Sequence, residues 1–122
     1  MSGKLHASTH PLVAHKLTQL RDVTTDFRRF RSIVDELAMI LAYEATADMT
    51  TRSVPVQTPL TVAEGRKFDE QVGLVPILRA GLGMVDGMLH LLPQAEVWHL
   101  GFYRDEKTLQ PVIYYNKMPA DL

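Results

Sequence analysis

The sequence predicts an α/β fold: a parallel sheet flanked by helices, with an N-terminal helical segment and a projecting β-arm. Three observations carry this. Apolar residues recur at helical spacing over about 10–49, and a proline-bearing run over 52–69 alternates with a period of two. Over 71–103 two apolar runs enclose a helical stretch, a strand–helix–strand unit whose parallel crossover should be right-handed.

The first helix opens at His10-Pro11, because proline at the first helical position gives up an N–H that has no helical partner there. Val13, Leu17 and Leu20 follow at helical spacing, and Asp22 closes the segment. Thr24 or Thr25 is the expected cap of a second helix, with Asp26 in its first turn, facing the positive end of the dipole. Phe30, Ile33, Val34, Leu37 and Leu41 make its apolar stripe, and it is expected to run to about Ala47.

From Val54 to Val62 the apolar residues fall at every second position, with Pro55 and Pro59 on the other parity. Two prolines exclude a central strand, since each removes a ladder donor. The expectation is an edge or a projecting arm, turning at Glu64-Gly65-Arg66. Such an arm either covers its own core or clasps a second subunit. Val72–Leu78 is a nearly continuous apolar run, the mark of a strand buried on both faces. Leu82, Val85, Leu89 and Leu92 give the next helix, ended by Pro93, and Val97–Tyr103 gives another apolar strand. Asp105–Thr108 reads as a polar turn and Val112–Tyr115 as a returning strand, a flexible hairpin over 103–117. One complete crossover is few strands for an α/β sheet, so the expectation is a fragment or a chain that a partner completes.

The chain has 122 residues, 13 Lys+Arg against 14 Asp+Glu, 46% apolar residues and no cysteine. The near-neutral charge argues against nucleic acid or an acidic membrane as the main partner. Zero cysteine excludes a disulfide scaffold, a thiol nucleophile and a cysteine-ligated zinc. No apolar run approaches a membrane span, and the start has no signal or transit character, so a cytoplasmic chain is expected.

In open α/β sheets ligands bind beyond the carboxyl ends of the strands. Arg79 and Arg104 fall at two such ends, and Ala80-Gly81-Leu82-Gly83 follows Arg79 with small residues that let backbone N–H groups approach a ligand. Glycines, a helix start and a guanidinium together suit phosphate or pyrophosphate. The competing reading is a plain turn with its arginine paired to a carboxylate. No histidine pair has a metal-ligand spacing, so solvated or capping roles are expected for His6, His10, His15, His90 and His99, and no metal site. Asp86 and Glu96 read as structural, and Met84, Met88 and Trp98 as core.

Val75-Pro-Ile-Leu-Arg-Ala-Gly-Leu-Gly-Met-Val-Asp-Gly-Met88 closely resembles the bacterial-type uracil phosphoribosyltransferases. So do Gly101-Phe-Tyr-Arg-Asp-Glu-Lys-Thr-Leu-Gln-Pro-Val112 and Tyr114-Tyr-Asn-Lys-Met-Pro119, as well as His10–Leu17 and Glu36–Glu44 at the N-terminal end. The resemblance is colinear over nearly the whole chain. It implies the N-terminal part of a single phosphoribosyltransferase domain, whose β-arm pairs subunits into a homodimer or higher homo-oligomer. The implied reaction belongs to pyrimidine salvage: uracil and 5-phosphoribosyl-1-pyrophosphate (PRPP) give UMP and pyrophosphate, with magnesium held mainly by PRPP.

Within that resemblance Arg79 matches an arginine that contacts PRPP at its pyrophosphate. Arg104 matches a second, at the base of a flexible hairpin that closes over the site. Ala80 and Gly81 match the tight turn beside Arg79, where a strained peptide is implied. The family's ribose-phosphate loop and uracil-binding segment would lie downstream of Leu122, and so would the catalytic acid. The 122 residues alone are therefore expected to be inactive. The alternative is a non-catalytic truncated paralogue that pairs with a full-length subunit, or a regulatory relative sensing PRPP or UMP; the lack of a basic stripe weighs against RNA-linked regulation.

Overall fold

Pro11 stands at the first position of α1 (Pro11–Arg21), and the His10 side chain caps it, Nδ1 accepting the Leu12 N–H at 3.0 Å. Residues 3–121 are described by the structure, a computed structural model. The cap of α2 (Phe27–Ala45) is Asp26 itself, not a threonine: its carboxylate accepts the Arg29 N–H at 2.8 Å. The two threonines are committed to the end of α1. Thr24 donates to Asp22 through both N–H and hydroxyl, and the Thr25 hydroxyl donates to the Gln19 carbonyl. The helix ends at Ala45, two residues short of the expectation, with Thr46 as its C-cap.

The buried line of α2 is Ile33, Leu37, Ala38 and Ala42, so the expected stripe is displaced: Phe30 and Leu41 lie at its exposed margins. The helix is covered from two sides. Val13 of α1 packs on Ile33 and Leu37 with Leu20 and Ile40 around them, and Ile33 is fully buried. On the other side α3 (Val85–Leu91) comes so close that a Cβ on Gly87 would lie 2.4 Å from the Asp35 carbonyl oxygen and 2.9 Å from the Ala38 Cβ. Glycine and alanine therefore set the α2–α3 distance, and small residues take the buried places that large ones were expected to fill.

The arm is a hairpin of β1 (Thr51–Gln57) and β2 (Val62–Phe68), paired antiparallel from Thr51↔Phe68 to Gln57↔Val62. Its turn is at 58–61, not at Glu64-Gly65-Arg66. Thr58 closes it, its hydroxyl accepting the N–H groups of Leu60 and Thr61 at 3.3 and 3.1 Å. Moving the turn also divides the apolar face. Directly opposed residues share a face, so Val54 and Val56 join Gly65 and Ala63, while Val62 lies on the other side with Gln57.

The expected 72–78 strand is interrupted at Val75-Pro76 into β3 (Gly73–Leu74) and β4 (Ile77–Leu78). Its burial alternates: Leu74 and Pro76 are buried, Val75 and Ile77 exposed. One face is covered by helices, which replaces the expectation of burial on both. The 97–103 strand is likewise divided into β5 (Glu96–Val97) and β6 (Leu100–Arg104). Parallel pairs β3–β5 and β4–β6 line up Leu74 with Val97 and Leu78 with Gly101, and β7 (Pro111–Asn116) returns antiparallel on β6. Glu96 ties the first pair, accepting from Gln71 Nε2 at 2.6 Å and Trp98 Nε1 at 3.0 Å, while the Trp98 ring lies where a Cβ on Gly73 would be.

Candidate functional site at the carboxyl end of the parallel pair

Because β4 and β6 run parallel in register, both end at the same side of the sheet. Arg79 follows Leu78 directly, through a cis peptide. Arg104 closes β6 three residues past the Leu78–Gly101 rung, about 10 Å further along at ~3.3 Å per residue. Both side chains are exposed, and among the described residues neither is paired with a carboxylate. The alternative of an arginine braced by an acid is therefore not what the turn contains.

Between Arg79 and α3 the chain makes a 3-10 turn, Ala80–Met84, in place of a direct helix start. The Ala80 and Gly81 N–H groups open it and have no carbonyl to reach inside the turn. Gly81 lies close to the strand: a Cβ there would come within 3.2 Å of the Pro76 Cα, a tight contact. The chain thus folds back against its own strand directly after Arg79.

Arg104 stands beside a shallow cleft of about 330 Å³ formed with Phe102, Tyr103, Leu109 and Pro111. Past it, Asp105 Oδ1 accepts the Lys107 and Thr108 N–H groups at 2.8 and 2.9 Å. These two bonds, first that from Thr108 and then that from Lys107, hold the Asp105 carboxyl below the ordinary carboxylate range. The stretch is thus the polar turn expected of it, with a carboxylate cap that was not expected. The signal was present in an aspartate two and three residues ahead of Lys107 and Thr108, the spacing of an Asx turn. A larger cleft, about 770 Å³, lies between the arm base and the 91–95 connection. It opens at the amino end of the parallel strands, opposite the arginines, where α/β sheets do not place their ligands.

The uracil phosphoribosyltransferase family profile matches residues 7–122. The chain belongs to the uracil phosphoribosyltransferase family. It is 56% identical over 115 residues to a protein of that name from Roseiflexus castenholzii, covering 94% of this chain and 55% of the relative. With the one from Bacillus pumilus it shares 52% over 121 residues, 98% of this chain and 58% of the relative. It thus spans a little over half the length of these curated relatives. Among solved structures, the AQ2163 protein of Aquifex aeolicus superposes with a TM-score of 0.85 at 36% identity, over 92% of this chain and 54% of that one. The mixed α/β architecture is accordingly of the phosphoribosyltransferase type.

Proposed function

We propose that these residues form the pyrophosphate-gripping side of a uracil phosphoribosyltransferase, which converts uracil and PRPP to UMP and pyrophosphate. The observation that supports it most is the placement of Arg79 and Arg104 at one end of the β4–β6 pair, neither ion-paired among the described residues. Displacement at the anomeric carbon builds negative charge on the departing pyrophosphate. Fixed guanidinium and N–H donors stabilise that charge more than the ground state. Closure of the β6–β7 hairpin would keep water from the oxocarbenium-like carbon.

Magnesium belongs to the substrate in this reading and arrives complexed to PRPP. Among the described residues no three His, Asp or Glu side chains gather into a metal site, and the carboxylate next to Arg104 already accepts two backbone N–H groups. The arm supports the homo-oligomer part of the proposal: it packs chiefly on itself and leaves Val56 and Leu60 exposed. A cytoplasmic location goes with this reading. Among the described residues no helix is long and apolar enough to cross a membrane.

Titrating PRPP with magnesium into wild type and Arg79→Ala by calorimetry tests the proposal. A charge-assisted contact is worth roughly 1.5–3 kcal/mol, so about a ten- to hundredfold loss of affinity is expected. Lysine should restore only part of it, lacking the planar fork. Wild-type affinity in a folded Arg79→Ala protein would overturn the assignment.

A further inference from the structure

Arg104 sits on a weak rung. Its partner across the hairpin is Pro111, which has no N–H to donate. The ladder is irregular again three residues earlier, where the register shifts between Gly101 and Phe102. At the tip, Leu109 takes φ 58°, a left-handed conformation that a β-carbon disfavours. Left to the strand pairing alone, the backbone bearing this guanidinium would be loosely held.

Asp105 supplies what the rung lacks. Its N–H donates to the Gln110 carbonyl and its carbonyl accepts the Leu109 N–H, both at 2.9 Å. Its carboxylate meanwhile takes the N–H groups of Lys107 and Thr108. Four bonds from one residue, next in sequence to Arg104, fix the loop from both sides. No other side chain makes more than one bond within this turn: Thr108 Oγ1 accepts the Gln110 N–H at 3.3 Å.

We propose that Asp105 is a positioning residue for Arg104: its carboxylate locks the 105–110 turn and so holds the guanidinium where an anionic substrate meets it. The inference rests on the reading of Arg104 as an anion-binding group. Asparagine keeps an acceptor oxygen at the same place, whereas alanine removes it and leaves two backbone donors to water.

The test uses the purified chain as wild type, Arg104→Ala, Asp105→Ala and Asp105→Asn. Inorganic pyrophosphate with magnesium is titrated into each by calorimetry, with thermal unfolding run in parallel. NMR follows the Arg104 Nε–H and the Lys107 and Thr108 amides. Asp105→Ala should weaken pyrophosphate binding about tenfold, the scale of one charge-assisted contact, and broaden the Arg104 Nε–H signal. Its melting should stay near wild type, since the turn is exposed. Asp105→Asn should restore both affinity and signal. Loss in Arg104→Ala with wild-type affinity in Asp105→Ala overturns the inference alone. Wild-type affinity in Arg104→Ala overturns the reading of Arg104 and the inference with it. An unchanged Arg104 Nε–H signal in Asp105→Ala overturns the positioning role whatever the affinities.

Discussion

The arm hairpin β1–β2 and the hairpin β6–β7 share a plan. Each is an antiparallel pair whose turn is closed by one side-chain oxygen accepting two backbone N–H groups. In the arm that oxygen is the neutral hydroxyl of Thr58; in the second hairpin it is the ionised carboxylate of Asp105. Among the described residues the arm packs chiefly on itself, with Leu60 almost fully exposed at its tip. The second hairpin is anchored through β6 to the parallel strand β4 and carries a guanidinium at its base. The same closure therefore serves two ends. An apolar tip on an unanchored hairpin is suited to protein contact, and a polar tip on an anchored one is suited to carrying a charge to a ligand.

The contrast breaks most visibly if charge is placed on the arm. In Val56→Glu/Leu60→Glu an assembly held by the arm should fall apart, because each uncompensated buried charge costs roughly 3–5 kcal/mol. Light scattering that shows the wild-type mass for this variant would make the arm a self-covering edge. The equivalent polar tip of the second hairpin, changed at Lys107→Glu, should leave the mass alone.

Glycines sharpen it at a smaller scale. A Cβ would meet a neighbour at 2.6 Å at both Gly65 and Gly101. At Gly65 the neighbour is a methyl of Val56 on the half-exposed face of an unanchored hairpin that can give, so Gly65→Ala should cost about 1 kcal/mol or less. At Gly101, buried in the sheet, the Tyr114 ring and the Tyr115 Cβ are both in the way. Gly101→Ala should cost about 1–3 kcal/mol, the scale of overpacking. Denaturant unfolding of the pair decides it, and equal costs would mean that β6 yields as freely as the arm.

Acid gives the smallest effect. A depressed carboxyl stabilises the folded turn fully above its ordinary value of 3.8 and loses that contribution as pH falls through the lower folded value. The charged neighbours in that turn are Glu106 and Lys107, and neither is ion-paired with Asp105. The amides of Lys107 and Thr108 should thus exchange faster, relative to their intrinsic rates, below pH 3.8 than above it, while Leu60 and Thr61 show no such step. A step at both turns would mean that the hairpins melt with the whole fold.

Much of this was legible in the residues themselves. Pro11 and the helical spacing locate α1 and α2, the paired prolines mark an edge hairpin, and Arg79 and Arg104 are recognisable because strand ends in such sheets face ligands. What sequence could not supply depends on tertiary packing. The position of the arm's turn was obscured because period-two alternation runs through Pro59 and Leu60 without a break, and only cross-strand pairing distinguishes turn from strand. Asp26 displaced the threonines as a cap because the end of α1 had already taken their hydrogen bonds. The one-sided burial of Val75 and Ile77 follows from which face the helices cover, and a continuous apolar run carries no record of that.

Hydrogen exchange on both hairpins in one sample, with and without PRPP and magnesium, tests the division of labour most directly. If Arg104 binds PRPP as proposed, protection should rise across 103–113 and stay unchanged across 51–68. Equal exchange at 103–113 with and without ligand, or protection confined to the arm, would contradict it.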